Sequence, residues 1–394
     1  MRLPNDRIWR YVLILAAVYF VVRGPVRFFT EGGDFLTLFA SSRSWLHGEN
    51  PYTSGSLMAS AVAAGASVPA EQFVATPPTY LPTALLVYAP LAALPWSIAN
   101  GLWFAILLGA FGWAAVMTSR LAGGLTAPLA SLLLAFAPVH TAFARGQPSL
   151  LVCALVIAGV TIERPLFAGF LLALGMCIKP QLTIGFVVLA AVWKQWAKVL
   201  WTFGIGALVA ICSVAPMKVD SLRLIASYIS ALNPVTGIVE GLGFEQLGFH
   251  LINIDTLIPP VLHSSLLGEV LDAIILIATM ITVLRSSDRK ASMAVVASAT
   301  LLIGYHRFYD AQILWLGLPA ALRTAGSRLF PFFAASCTLF LFPGQTIAQR
   351  VFENFLDTPW AAILIRHEAI TCVGMWAMFL YAARRQERAQ PPAS

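Results

Sequence analysis

Apolar residues gather in this chain into long uninterrupted runs, and polar residues collect between them. The runs lie at about 8–22, 99–119, 126–141, 149–163, 166–179, 181–194, 199–216, 266–284, 291–305, 310–323, 328–342 and 361–382. Each reads as a membrane-spanning helix, for which about 20 apolar residues cross the hydrocarbon core. Several runs are shorter; flanking residues are expected to extend them, or they end in cavities of the bundle. The pattern predicts an all-α polytopic membrane protein, a bundle of about 12 transmembrane helices in a single domain over 1–394.

Two long stretches interrupt the runs, and both are expected to be extracytoplasmic loops. The first, 23–97, contains Asp34, the tract WLHGENPY and the Pro-rich apolar piece PPTYLPTALLVYAPLAALP. Counting 80–96 as a span reverses every later segment and places the basic loops RSSDRK and KQWAK outside, so it reads as a juxtamembrane or re-entrant hairpin. The second stretch, 217–265, is rich in Gly, Asn and Pro. The two divide the chain into a catalytic half (1–216), a central outer loop and C-terminal helices (266–394).

Composition supports this picture: 59% of residues are hydrophobic and 11% charged, against about 25% charged in soluble domains. The net charge of +7 follows from basic cytoplasmic loops, with no basic stripe to suit nucleic acid. With the N-terminus inside, the inner side receives Arg2, Arg7, Arg10, Arg120, Arg164, Lys194, Lys198, Arg285, Arg289, Lys290, Arg323, Arg328, Arg384, Arg385 and Arg388, and both termini are cytoplasmic. The start MRLPNDRIWR, followed by an apolar run without a small-x-small site, reads as an uncleaved signal anchor. The five cysteines lie in or beside apolar runs without metal spacing.

Ionisable groups at membrane depth are costly, so each asks for a function. TEGGDFLTLF places Asp34 just beyond the first span, where its carboxylate fits two roles. It can take the proton from an acceptor hydroxyl, or cap a helix beginning at Phe35, and taken alone the cap is the commoner role. HRFYD puts His306, Arg307, Tyr309 and Asp310 between two spans, unless it is an ordinary solvated loop. ARGQPS offers Arg145 and Gln147, and IKPQ offers Lys179 and Gln181, where the lysine can simply snorkel to the interface. All four clusters fall on the outer side. Arg145, Lys179, His306 and Arg307 are therefore candidates to hold a phosphate and neutralise it as it leaves, without a metal. The chain has no D-x-D triplet, P-loop or dinucleotide fingerprint.

The order GGDFLTLFASSRSWLHGENPY, PPTYLPTALLVYAPLAALP, GQPSLL and AGFLLALGMCIKPQ, with HRFYD later, resembles glycosyltransferase family 87. The resemblance implies a GT-C fold and an inverting transfer from a polyprenyl-phosphate sugar, most often mannose, to a lipid or glycan acceptor. It implies no cofactor, an active site on the extracytoplasmic face, and a place in the cell's inner or plasma membrane among its lipids. It makes Asp34 the general base and His306 a donor-phosphate residue with Arg307, Lys179 and Arg145. Gln147, Gln181, Tyr309, Asp310 and Tyr80 are then expected in the substrate pocket. The rival class is a transporter or flippase of lipid-linked sugars, which often shows internal repeats and broken midplane helices. Here no repeat is evident and the polar clusters favour one face.

Overall fold

The computed structural model describes residues 6–31, 33–67, 78–214, 223–231, 251–257, 265–324, 327–341, 363 and 365–389. They are helical throughout, with no strand among them. The expected spans reappear in order. They are α1 (Asp6–Arg23), continued by α2 (Pro25–Glu31), α6 (Trp96–Leu121), α7 (Ala127–Ala135) with α8 (Ala137–Arg145), α9 (Ser149–Thr161), α10 (Pro165–Ile178), α11 (Pro180–Val192) and α12 (Trp196–Val214). After them come α14 (Ser265–Arg285), α15 (Arg289–Leu302), a 3-10 helix (Phe308–Gly317) leading into α16 (Leu318–Arg323), α17 (Phe330–Leu341) and α18 (His367–Ala389).

The lengths differ from the expectation of about twelve spans. Among the described residues four helices are long and apolar enough to cross a bilayer, or five if the bent pair α7–α8 counts as one span. The helices α9, α10 and α11 have 13 or 14 residues. At 1.5 Å per residue such helices are only about 20 Å long.

Prolines set many of the boundaries. Pro128, Pro138, Pro165 and Pro180 occupy the first turn of α7, α8, α10 and α11, where a missing N–H costs nothing. Pro138 also explains the 46° bend between α7 and α8. A proline cannot bond the carbonyl four residues back, and its ring crowds that carbonyl. The carbonyl is Leu134, and the buried His140 satisfies it instead, donating from Nε2 over 2.6 Å.

The first outer stretch is a layer of helices rather than a loop: α3 (Gly33–Leu46), α4 (Ser54–Ala63) and α5 (Pro82–Ala92). The expected hairpin at 80–96 is α5 and a turn into α6; its 11 helical residues are too few to cross. Arg43 ties α3 to the end of α5, donating to Ala92 O over 2.7 Å, and Trp45 Nε1 donates to Ser213 O over 2.7 Å at the end of α12. Most of the central stretch 217–265, like the first and last five residues, lies outside the described residues. Within it α13 (223–231) packs Tyr228 against Tyr52, and residues 251–257 cross behind the loop before the 3-10 helix. There Ile252 N donates to His306 O over 2.8 Å.

The bundle has two chemically distinct ends. At one, Lys290 Nζ donates to Leu121 O over 2.6 Å, Arg323 pairs with Asp288 at 2.6 Å, Arg289 lies over the Trp193 ring and Lys198 caps the carbonyls of Gly159 and Ile162. The other end contains the start of α3, the start of α5 and the α8–α9, α10–α11 and α15–3-10 junctions.

Candidate active site

Three chain breaks bring the site together, and each has a local cause. Gly146 ends α8 in the left-handed conformation, φ 66°, with Gly146 N and Gln147 N donating to Phe143 O and Ala142 O. A Cβ there would sit 2.9 Å from Phe35 Cβ, so only glycine lets α8 end against the first turn of α3. Lys179 is the single residue between α10 and α11: the residue before a proline is pushed out of helical geometry, so Pro180 forces the break. The third break, 303–307, precedes the 3-10 helix, and the Leu251–Arg307 bridge holds it.

From these breaks the side chains converge. Asp34 lies in the first turn of α3 instead of at its cap, where the helix N-terminus favours negative charge. Its Oδ2 accepts from Gln147 Nε2. The Gln147 side chain also meets Tyr80, whose hydroxyl donates to Oε1 over 3.4 Å. Burial first, then the nearby Asp34 and Asp310 carboxylates, push the Tyr80 phenol well above its ordinary value, so it stays a neutral donor.

Behind this pair lies an ionic knot. Lys179 Nζ is 2.9 Å from Asp310 Oδ1, with side chains only 7% and 3% exposed. Ser149 bridges them, accepting from Lys179 at 2.8 Å and donating to Asp310 at 2.6 Å. Asp310 Oδ2 accepts from the backbone of Arg307 at 3.1 Å and lies 3.5 Å from His306 Nδ1. Removing one member of a buried ion pair strands the other charge and costs roughly 3–5 kcal/mol. Lys179→Met is therefore expected to lower the unfolding temperature of the purified protein sharply. The double variant Lys179→Met/Asp310→Asn is expected to regain much of that loss, because neither charge is then left alone.

The segment 305–310 alternates: Tyr305, Arg307 and Tyr309 are half-buried, while His306, Phe308 and Asp310 are buried. Arg307 Nε donates to the Tyr305 hydroxyl over 2.5 Å, and its guanidinium makes no carboxylate ion pair among the described residues. His306 is 0% exposed, whereas the neighbouring Arg307 is half-buried. Lys179 also turns inward, its Nζ 4.7 Å from the centre of the Tyr309 ring. Arg145 and Gln181 are exposed and make no hydrogen bond to the cluster. Of the expected site residues, the structure thus joins Asp34, Tyr80, Gln147, Lys179, His306, Arg307, Tyr309 and Asp310, and leaves Arg145 and Gln181 aside. Ser149 and Tyr305 join them unforeseen, although both lie inside or next to the motifs GQPSLL and HRFYD.

The apolar helices and the cluster of carboxylates and cations at one end of the bundle are those of a membrane protein with a polar site. The sequence matches the family described as glycosyltransferase family 87 over residues 79–304 of 394. The chain belongs to that family and is a membrane glycosyltransferase. The matched stretch includes Tyr80, Gln147, Ser149 and Lys179; Asp34 precedes it and His306 follows its end. No curated protein and no solved structure matches the chain.

Proposed function

We propose that this glycosyltransferase moves a sugar, mannose being the expected one, from a polyprenyl-phosphate donor to a lipid or glycan acceptor at the extracytoplasmic face of the cell's inner or plasma membrane, with inversion. One observation supports the reading: of the charges gathered at the site, Lys179 and Asp310 neutralise each other, while Asp34 and Arg307 make no salt bridge among the described residues and act on each other only at longer range. A base and a cation are what the transfer needs. Asp34 takes the proton of the acceptor hydroxyl as its oxygen attacks the anomeric carbon from the side opposite the phosphate. The bond from that carbon to the phosphate oxygen breaks, the phosphate keeps the electron pair, and Arg307 neutralises the charge. A lipid phosphate is a good leaving group, so the reading calls for no cofactor.

The test is incubation of the purified protein with a panel of polyprenyl-phosphate sugars and a membrane lipid extract. A glycosylated product with an inverted anomeric centre and free polyprenyl phosphate are expected. Release of neither from any donor overturns the reading.

The side of the membrane follows from charge. The end opposite the site carries Arg289, Lys290, Arg323 and Lys198 with their neighbours, and short basic loops stay in the cytoplasm. In a cysteine-free background on intact cells, Ala59→Cys in α4 is expected to react with a membrane-impermeant thiol reagent, and Ser287→Cys is expected to react only after lysis. The reverse pattern would put the site inside.

A further inference from the structure

Gln147 was expected to line the substrate pocket, but the structure buries it to 4% exposure between Asp34 and Tyr80. A residue so enclosed has little surface left for a sugar. Its two polar atoms are instead engaged in opposite directions. A carboxylate only accepts, so the amide nitrogen faces Asp34, and the amide oxygen is left to accept from the Tyr80 hydroxyl. Its own backbone is fixed by the turn at Gly146, whose carbonyl accepts from Trp103 Nε1 over 2.8 Å.

We propose that Gln147 is the positioning residue of the catalytic base. Its amide holds Oδ2 of Asp34, so that Oδ1 faces the acceptor, and Tyr80 locks the amide in that orientation. The inference rests on the reading of Asp34 as base and adds what sets its geometry and basicity. Gln147 has no charge and does not exchange protons, so it can hold the carboxylate without competing for the acceptor's proton. A lysine or arginine in its place would stabilise the anion strongly and weaken it as a base. The single amide engages one oxygen of Asp34 and brings no charge of its own.

The other groups that act electrostatically on Asp34 are Tyr80 before α5, Tyr305 and Arg307 on the loop before the 3-10 helix, and Tyr309 at that helix's start. Of these only Tyr80 touches Gln147, so Tyr80→Phe is read beside the Gln147 variants to separate its share from that of the amide.

The experiment uses the full chain in nanodiscs and reads Asp34 directly. A hydrophobic carbodiimide reacts with the protonated carboxyl, and peptide mass spectrometry measures its addition at Asp34 against pH, with Asp34→Asn as the blank. Gln147→Ala removes a hydrogen bond to the carboxylate, so the labelling midpoint is expected to rise by about one pH unit. Gln147→Glu keeps the shape but sets a second acid against the first, and its midpoint is expected to rise further. Tyr80→Phe frees the amide and is expected to give a smaller rise in the same direction. With a working donor, Gln147→Ala is expected to lower kcat about tenfold or more with KM changed less than about twofold, and to move the acid limb of the kcat profile upward with the labelling midpoint.

An unchanged midpoint in both Gln147 variants overturns the proposal; Gln147→Glu serves if Gln147→Ala does not fold. A shifted midpoint in a protein that transfers no sugar from any polyprenyl-phosphate donor supports the positioning of the carboxylate and overturns the reading of the donor, so the two failures are told apart.

Discussion

Asp34→Asn is expected to fold and melt like the parent and to lose sugar transfer by roughly 100- to 10,000-fold, the range general-base assistance supplies. Asparagine keeps the size of the side chain and an oxygen that accepts from Gln147 Nε2. It loses the negative charge that the first turn of α3 favours, an effect of about 0.3–1 kcal/mol on stability. What it cannot do is accept a proton at neutral pH. The sequence alone left a helix cap as the simpler account of Asp34, and a cap predicts a different result, since asparagine caps as well as aspartate. Turnover and thermal unfolding measured on the same purified samples separate the two. Parental melting with near-parental turnover would make Asp34 a structural residue and remove the base from the mechanism. The donor-derived product gives a further check: binding of free polyprenyl phosphate is expected to survive Asp34→Asn, because the carboxylate acts on the acceptor's side.

The positions of the helices were legible in the sequence because the solvent leaves little choice. Backbone in hydrocarbon must bond to itself, so most apolar runs became helices within a few residues of where the run begins and ends; the run 126–141 is broken at Phe136, and the run 361–382 is shifted to His367–Ala389. The layer α3–α5 was less legible. Its helices of 10 to 14 residues alternate with turns, and α5 begins and continues through prolines that read as a hairpin. The site was legible in its parts for an energetic reason. Lys179 and Asp310 stand out in sequence because charges at span ends are costly, and they are found neutralising each other.

The direction of each side chain was not legible. Between α15 and the 3-10 helix the backbone has neither the 3.6-residue nor the strict two-residue period over a length that sequence reading can use. Nothing in HRFYD therefore says that His306 faces inward and Arg307 outward. That depends on residues 251 and 252, some fifty positions earlier, which pair with the loop's backbone. Ser149 escaped notice because a serine after a proline at a helix start reads as ordinary local chemistry, and its partners Lys179 and Asp310 are distant in sequence.

Of the four residues expected to hold the donor phosphate, Arg307 gives the second large expected effect. Arg307→Gln is expected to cut turnover by about 100- to 1000-fold, the usual cost of losing a group that stabilises charge developing in the transition state. Arg307→Lys is expected to fall between the two, since an ammonium keeps the charge but lacks the planar fork that meets two phosphate oxygens. The Tyr305 hydroxyl engages Nε and so leaves the terminal nitrogens of Arg307 to turn toward an anion. Unlike Asp34→Asn, Arg307→Gln is expected to lose binding of free polyprenyl phosphate along with turnover. His306→Asn, by contrast, touches a ring buried against Asp310. It is expected to lower the unfolding temperature more than it changes phosphate binding per folded molecule. If instead Arg307→Gln binds polyprenyl phosphate like the parent while His306→Asn does not, the loop must turn over when the donor binds, and His306 becomes the phosphate residue.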